Sequence, residues 1–540
     1  MKRHTLYLLL SGLVVLSFVL GACGPAATTE APPPTEAPPP PTAAPPMEEF
    51  EALPSLTSDC SNGTLWKDVS ALDRYTVQFT MCVPDPIFLV KMAFSPFAIY
   101  PEEWLAATTD PGARLEAPVG TGPYMVSDWV RGESLTFVRN PNYWGENPVY
   151  ADTLVMRWST ESAARLVELQ SGTIDGMDNV APSDFEVIEA DPNLQLVVRP
   201  ALNVFYIGMT NTFPPFDNVK VRQAVAMGID RQRIVDTFYP PGSEVASHFT
   251  PCPIANACAG DPWYDFDPVA GKALLAEAGF PNGFDTTLYY RDVVRGYLPE
   301  VTRVATEIQA QLKENLGINA TIEVMESGAF IAASEIGSLN GFHLLGWGAD
   351  YPHVTNFLDY HFGASQQQFG TPYSEIYTLL QQGAQIPIPA DAVDIYTQAN
   401  NAIRELVPMV PVAHGASATA YRADVTDPQA SPLTNEYMAT MDPGGRDTFV
   451  WMQNAEPISL FCADETDGES LRACEQVTEG LYAYEINGTD AIPALAEVCE
   501  PNEDASVWTC TLRQGVLFSD GTTFDANDVM ATWNANADAN

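Results

Sequence analysis

Positive charge is what this chain has least of. Its 540 residues carry 25 Lys and Arg against 69 Asp and Glu, a formal charge of −44. So acidic a surface repels phosphate backbones, which excludes nucleic acid as a partner. It also gives the folded surface no electrostatic grip on anionic lipid. Histidine is scarce, with six residues scattered along the chain, and no C-x-x-C occurs among the nine cysteines. Zinc therefore stands below disulfides as the use of those cysteines. Catalytic signatures are missing: there is no H-E-x-x-H, no G-x-S-x-G and no Walker loop. "VAGKAL" (269–274) has a Gly-Lys pair without the upstream Gly or the following Ser or Thr. A secreted hydrolase would need a nucleophile and base brought into one cleft, and no such set can be read here. The acidic stretch "DETDGES" (464–470) misses the EF-hand spacing and reads as a turn capping a helix. No repeat recurs at solenoid periods.

What is present begins with an export signal. Lys2 and Arg3 precede an apolar run from Leu6 to Leu20, and "LGAC" ends at Cys23. This ending resembles the bacterial lipobox, which implies that residues 1–23 are a lipoprotein signal peptide with Cys23 as the acylated residue. Residues 24–47 are almost all Pro, Ala, Thr and Glu, a Pro/Ala/Thr-rich disordered tether. The eight remaining cysteines fall into local pairs suited to an oxidising compartment. Cys252 and Cys258 close a small loop, Cys462 and Cys474 bracket the acidic turn, Cys499 and Cys510 lie on two arms of a hairpin, and Cys60 and Cys82 are left to each other.

Beyond the tether, short strands alternate with amphipathic helices, the pattern of α/β lobes. Strands are predicted at 75–81, 134–140, 318–326 and 516–518. Helices are predicted at 159–172, 219–230, 267–280 and 298–317, with Gly172 and Gly317 as stop signals, and another opens at Ala526 behind Asp525 as N-cap.

Five blocks in series carry a family resemblance. They are "PVGTGPYMVSDWVRGESLTFVRNPNYWG" (118–145), "ARLVELQSGTIDG" (164–176), "FDNVKVRQAVAMGIDRQRIV" (216–235), "DPVAGKALLAEAGFPNGF" (267–284) and "GWGADYPHVTNFLDYHF" (346–362). In order and spacing they resemble the extracytoplasmic solute-binding proteins of the dipeptide and oligopeptide class, family 5, which serve ABC importers. The blocks that usually open such a chain, including "QNAEPISLF" (453–461), "EGLYAYE" (479–485) and "VWTCTLRQGVLF" (507–518), here follow the block that usually closes it (406–425). The chain therefore resembles a circularly permuted member, with its joint near "PGGRD" (443–447).

The resemblance implies an α/β fold of the periplasmic-binding-protein-like type II class: two hinged lobes plus an extra third domain. It places the extra domain in 48–118 and 479–540, lobe I in 119–255 and 446–478, and lobe II in 256–445. It implies a binding protein and no enzyme, with no cofactor and no metal. The cargo is a small peptide, or an oligosaccharide, opine or nickel chelate, since the fold is shared across cargos. The partners are the transmembrane subunits of an ABC permease, and the protein is a monomer held by its lipid on the outer face of the cytoplasmic membrane, or in the periplasm. Asp350 falls where peptide-binding relatives hold the ligand's α-amino group. Trp347 and Tyr351 are then apolar walls, Asn356 a polar contact, Glu456 a contact from the opposite lobe, and Tyr206 a lining residue at an inner strand end.

Overall fold

A computed structural model describes residues 50–538 apart from 62, 63 and 109. The signal segment with Cys23 and the tether lie outside the described residues. Among the described residues, no helix is long and apolar enough to cross a membrane.

Three large sheets and a two-stranded ribbon, Tyr482–Tyr484 with Ala491–Pro493, organise the described residues. The first has seven strands, in the order Tyr124–Val130, Ser134–Arg139, Thr153–Trp158, Thr448–Gln453, Gly176–Met177, Ser417–Arg422 and Leu194–Arg199. The second has six, in the order Glu244–Val245, Met409–His414, Asn203–Met209, Phe342–Gly348, Asp285–Arg291 and Asn319–Met325. Its outer unit shows why the sequence folds as it does. Strands Asp285–Arg291 and Asn319–Met325 pair in parallel, so a crossover must join them, and helix Val301–Leu316 supplies it. Val301, Val304, Ala305, Ile308, Leu312 and Leu316 are its buried apolar residues, the spacing of one helical face. Gly317 ends it in the left-handed region at φ 72°. The helix opens at Val301 rather than at 298, because Pro299 interrupts the preceding turn.

The third sheet interleaves chain segments that are far apart in sequence. Its order is Leu56–Thr57, Trp66–Asp73, Thr76–Met81, Val507–Leu512 and Ala496–Pro501. Thr76–Met81 runs antiparallel to Val507–Leu512, with Thr80 opposite Val507 and Thr76 opposite Thr511. Trp508 stacks on Phe88 at 5.2 Å and donates its indole N–H to the Asp85 carbonyl at 3.1 Å. Trp533 of the last helix, Ala526–Asp538, packs 4.9 Å from Phe79. Val516–Phe518 is not a ladder strand; only Leu517 makes an isolated bridge, to Thr523. The turn at Asp520-Gly521 folds the segment back too soon for more pairing.

Sheet membership corrects the expected lobe limits in two places. The sequence assigns 203–255 to lobe I, yet Asn203–Met209 is central in the second sheet, and helices Val219–Gly228 and Arg231–Phe238 belong to the same core. Conversely Ser417–Arg422, assigned to lobe II, pairs with Leu194–Arg199 in the first sheet. The chain changes sheets within a few residues at two points, Pro200–Leu202 and Gly415–Ala416. The two crossings are clipped together: Asn203 Nδ2 donates to the Gly415 carbonyl at 2.7 Å, and Gly415 N–H donates to Asn203 Oδ1 at 2.8 Å.

Four disulfides join Cys60 to Cys82, Cys252 to Cys258, Cys462 to Cys474 and Cys499 to Cys510. His248 lies near the Cys252–Cys258 sulfurs, but both are bonded to each other, so no thiolate is offered to a metal. Local signals hold up elsewhere. Asp267 caps helix Pro268–Glu277, its side chain accepting from the N–H groups of Val269 and Ala270. Asp267→Ala is expected to lower stability by about 1 kcal/mol, measurable as a shifted urea midpoint with an unchanged slope. A shift beyond twice that would mean the residue does more than cap.

Candidate functional site

A cleft of about 420 Å³ lies between the first two sheets. Strand Phe342–Gly348 delivers Trp347 to it, and Asp350 follows before helix Val354–Phe362 begins. Asn356, buried in the first turns of that helix, fixes the arrangement. Its Oδ1 accepts from Trp347 Nε1 at 3.0 Å and from the Asp350 backbone N–H at 3.1 Å, while its Nδ2 donates to Asp350 Oδ2 at 2.9 Å. Trp347 stacks on Tyr360 at 4.1 Å. Asp350 has no ion-pair partner among the described residues. Burial pushes its carboxyl up to about 6, and the Asn356 bond only partly opposes this.

The facing wall belongs to the first sheet and helix Gly468–Cys474. Arg199, Asp178, Arg472 and Glu436 form a closed square of buried charges. Arg199 Nη2 lies 2.9 Å from Asp178 and 2.6 Å from Glu436. Arg472 lies 2.8 Å from Asp178 and 2.7 Å from Glu436. Burial alone would raise Asp178, yet Arg472 and Arg199 hold it well below the usual carboxylate range. The two walls meet where Arg295, between Asp285–Arg291 and Val301–Leu316, lies 3.5 Å from Glu469. Asp467 caps the helix by accepting from Ser470 N–H at 3.2 Å, so the acidic stretch there is a helix start.

Of the six residues singled out from the sequence, Asp350, Trp347 and Tyr206 line the cleft. Tyr206 is fully buried and donates to Gln368 Oε1 at 3.3 Å. Asn356 sits behind Asp350 and orients it. Tyr351 shares a hydrogen bond with Thr355 at 3.3 Å and is not part of the lining. Glu456 is a correction. It lies by the hairpin turn of Tyr124–Arg139, accepting from Trp129 Nε1 at 3.1 Å and from Gly132 N–H at 3.1 Å, with Arg131 at 3.7 Å. An acid that satisfies a tight turn reads in sequence like one that waits for a ligand.

Sequence reasoning missed Arg295, Glu469 and Arg472. One signal was available. In a chain with so few cations, an arginine flanked by apolar residues, as in "DVVRGY" or "SLRAC", has no surface reason to be there.

Residues 40–369 and 490–540 match the family described as bacterial extracellular solute-binding proteins, family 5 Middle. Heme-binding protein A of Haemophilus influenzae is 30% identical over 360 residues, covering 65% of this chain and 65% of that protein. Di/tripeptide-binding protein 1 of Pseudomonas aeruginosa is 28% identical over 381 residues, covering 68% of this chain and 69% of that one. The chain thus spans about two thirds of the length of these relatives, both of which are named as binding proteins. Among solved structures, a dipeptide-binding protein from Pseudoalteromonas sp. SM9913 in complex with Met-Leu superposes with a TM-score of 0.61 at 26% identity, covering 67% of this chain and 72% of that one. The match runs through both lobes and the third sheet, and the chain belongs to the family 5 bacterial extracellular solute-binding proteins, with the α/β type II periplasmic-binding-protein fold.

Proposed function

We propose that this protein captures short peptides in the cleft between its two lobes and delivers them to the membrane permease of an ABC importer. One observation carries the reading: Asp350 is a partly buried carboxylate, oriented by Asn356 and lacking a cation. A peptide's α-ammonium supplies one, and a charge-assisted bond in a water-poor cleft is stronger than its exposed equivalent. Arg295, which lines the same cleft, offers the opposite charge for a peptide's carboxylate. Trp347 gives an apolar face for the side chains between. Lobe closure is then driven by the ligand touching both walls at once. The relatives named as dipeptide- and di/tripeptide-binding proteins support the same cargo class.

Export and anchoring through Cys23 rest on the N-terminal sequence. Each buried methylene of an acyl chain contributes roughly 0.8 kcal/mol, so more than one chain is needed for stable attachment. The rotated order of the sequence blocks fits a family match divided between 40–369 and 490–540, and a third sheet in which Val507–Leu512 lies beside Thr76–Met81. Joining old termini and opening the chain at an exposed loop leaves such a core intact.

The test is calorimetry of the full chain with di- and tripeptides. Peptides should raise the melting temperature at pH 7. Affinity should weaken about tenfold per pH unit as pH falls below the Asp350 value of about 6, because the acid must lose its proton to meet the ammonium. If no short peptide shifts the melting temperature while an oligosaccharide, an opine or a nickel chelate does, the peptide reading fails.

A further inference from the structure

A second chamber, of about 770 Å³, adjoins the cleft. Phe94, Ser95, Asn435, Glu475 and Tyr484 line both spaces, so the two share a wall. The chambers differ in charge. The cleft mixes carboxylates with four arginines. The second chamber is lined by Glu146, Glu475, Glu479, Glu485 and Glu497 against Arg513 alone.

Those glutamates are not equivalent. Glu146, Glu485 and Glu497 are exposed. Glu479 is already engaged, its Oε2 accepting from Thr121 Oγ1 at 2.7 Å and from Trp144 Nε1 at 2.6 Å. Arg513 is engaged too, 4.6 Å over the Trp144 ring. Glu475 is different. Its Oε1 accepts from the Ser95 hydroxyl and from Asn435 Nδ2 at 3.0 Å, while Oε2 has no hydrogen-bond partner and no ion pair among the described residues. Burial pushes its carboxyl up to about 7, against those two bonds and the charge of Arg472. Tyr143 and Tyr437, joined hydroxyl to hydroxyl at 2.8 Å, and Tyr484 add aromatic surface of the kind that attracts cations.

We propose that the second chamber receives a basic side chain of the cargo and that Glu475 is the specificity-determining residue, so that the preferred ligands are short peptides carrying Lys or Arg. This rests on the peptide reading of the cleft. The zwitterionic backbone uses the mixed charges of the cleft, and the side chain crosses the shared wall to the acidic chamber. A neutral side chain of equal length gains the same apolar contact but leaves Glu475 without a counter-charge.

Isothermal titration of the full chain with Lys-Ala, Ala-Lys, Met-Ala and Ala-Met decides it, using the wild type and Glu475→Gln. The better lysine peptide should bind the wild type about tenfold or more tightly than its methionine counterpart, the yield of one charge-assisted hydrogen bond. In E475Q that preference should fall to within about twofold. Equal affinities in the wild type, or a preference that survives the substitution, overturn the inference while leaving the peptide reading standing. Failure of all four peptides to bind the wild type overturns both. The wild-type comparison stands alone if the variant folds poorly.

Discussion

Asp350→Asn should abolish the rise in melting temperature that short peptides produce, and weaken their binding by about two to three orders of magnitude. That is the cost of removing one member of a buried, hydrogen-bonded charge pair. Asparagine keeps the shape and can still meet Asn356, so the loss reports charge. The unliganded protein should respond the other way. Burial raises the Asp350 carboxyl from 3.8 to about 6 in the folded state. Stability from such a group is fully present below the unfolded value and is lost as pH rises through the folded one. At pH 7 the ionised carboxylate therefore destabilises the empty cleft, and the variant should melt no lower than the wild type. Thermal scans at pH 7 with and without a dipeptide separate the two effects. An undiminished peptide shift in the variant would remove Asp350 from the site.

Arg472→Met carries the largest expected cost to folding. Arg472 closes the square with Asp178 and Glu436, and all four members are buried. Arg199 alone cannot neutralise two buried acids. Breaking such a set typically costs about 3–5 kcal/mol, because the remaining charge stays desolvated and uncompensated. Adding Glu436→Gln to Arg472→Met should recover part of that loss by restoring a one-to-one balance, a coupling a double-mutant cycle measures. Urea unfolding followed by circular dichroism reads both variants. If the single variant unfolds at the wild-type midpoint, water reaches the square and its charges are not desolvated.

Local structure was the most legible part of the sequence. Gly172 and Gly317 end their helices in the left-handed conformation, at φ 74° and 72°, and Asp267 caps where its spacing places it. These signals are short-range, and the backbone obeys them wherever the element lies. The lobe borders were not legible. Leu194–Arg199 and Asn203–Met209 follow one another as apolar strands, as do Met409–His414 and Ser417–Arg422. Nothing in their composition marks that each pair straddles two sheets, because alternation tells which face is buried and not which sheet is joined. Apart from Tyr206, the candidate site was legible only where one compact block held it, Trp347 to Asn356. Its other half was assembled from distant segments: Arg295 meets Glu469 across 174 positions of sequence, and Asp178 meets Arg472 across 294. No local pattern carries such a pairing, which depends on the completed fold.

The amide clip between Asn203 and Gly415 has a mechanical meaning. Two ribbons connect the lobes at this point, and the clip pins one against the other. Sliding one lobe past its neighbour would tear both bonds at once, whereas a swivel about the pin strains neither. The joint thus favours one kind of travel: slight angular play at the pin becomes a wider sweep with distance from it, while Arg295, whose neighbour Gly296 lies against Asn203 and Gly415, stays close to the pin.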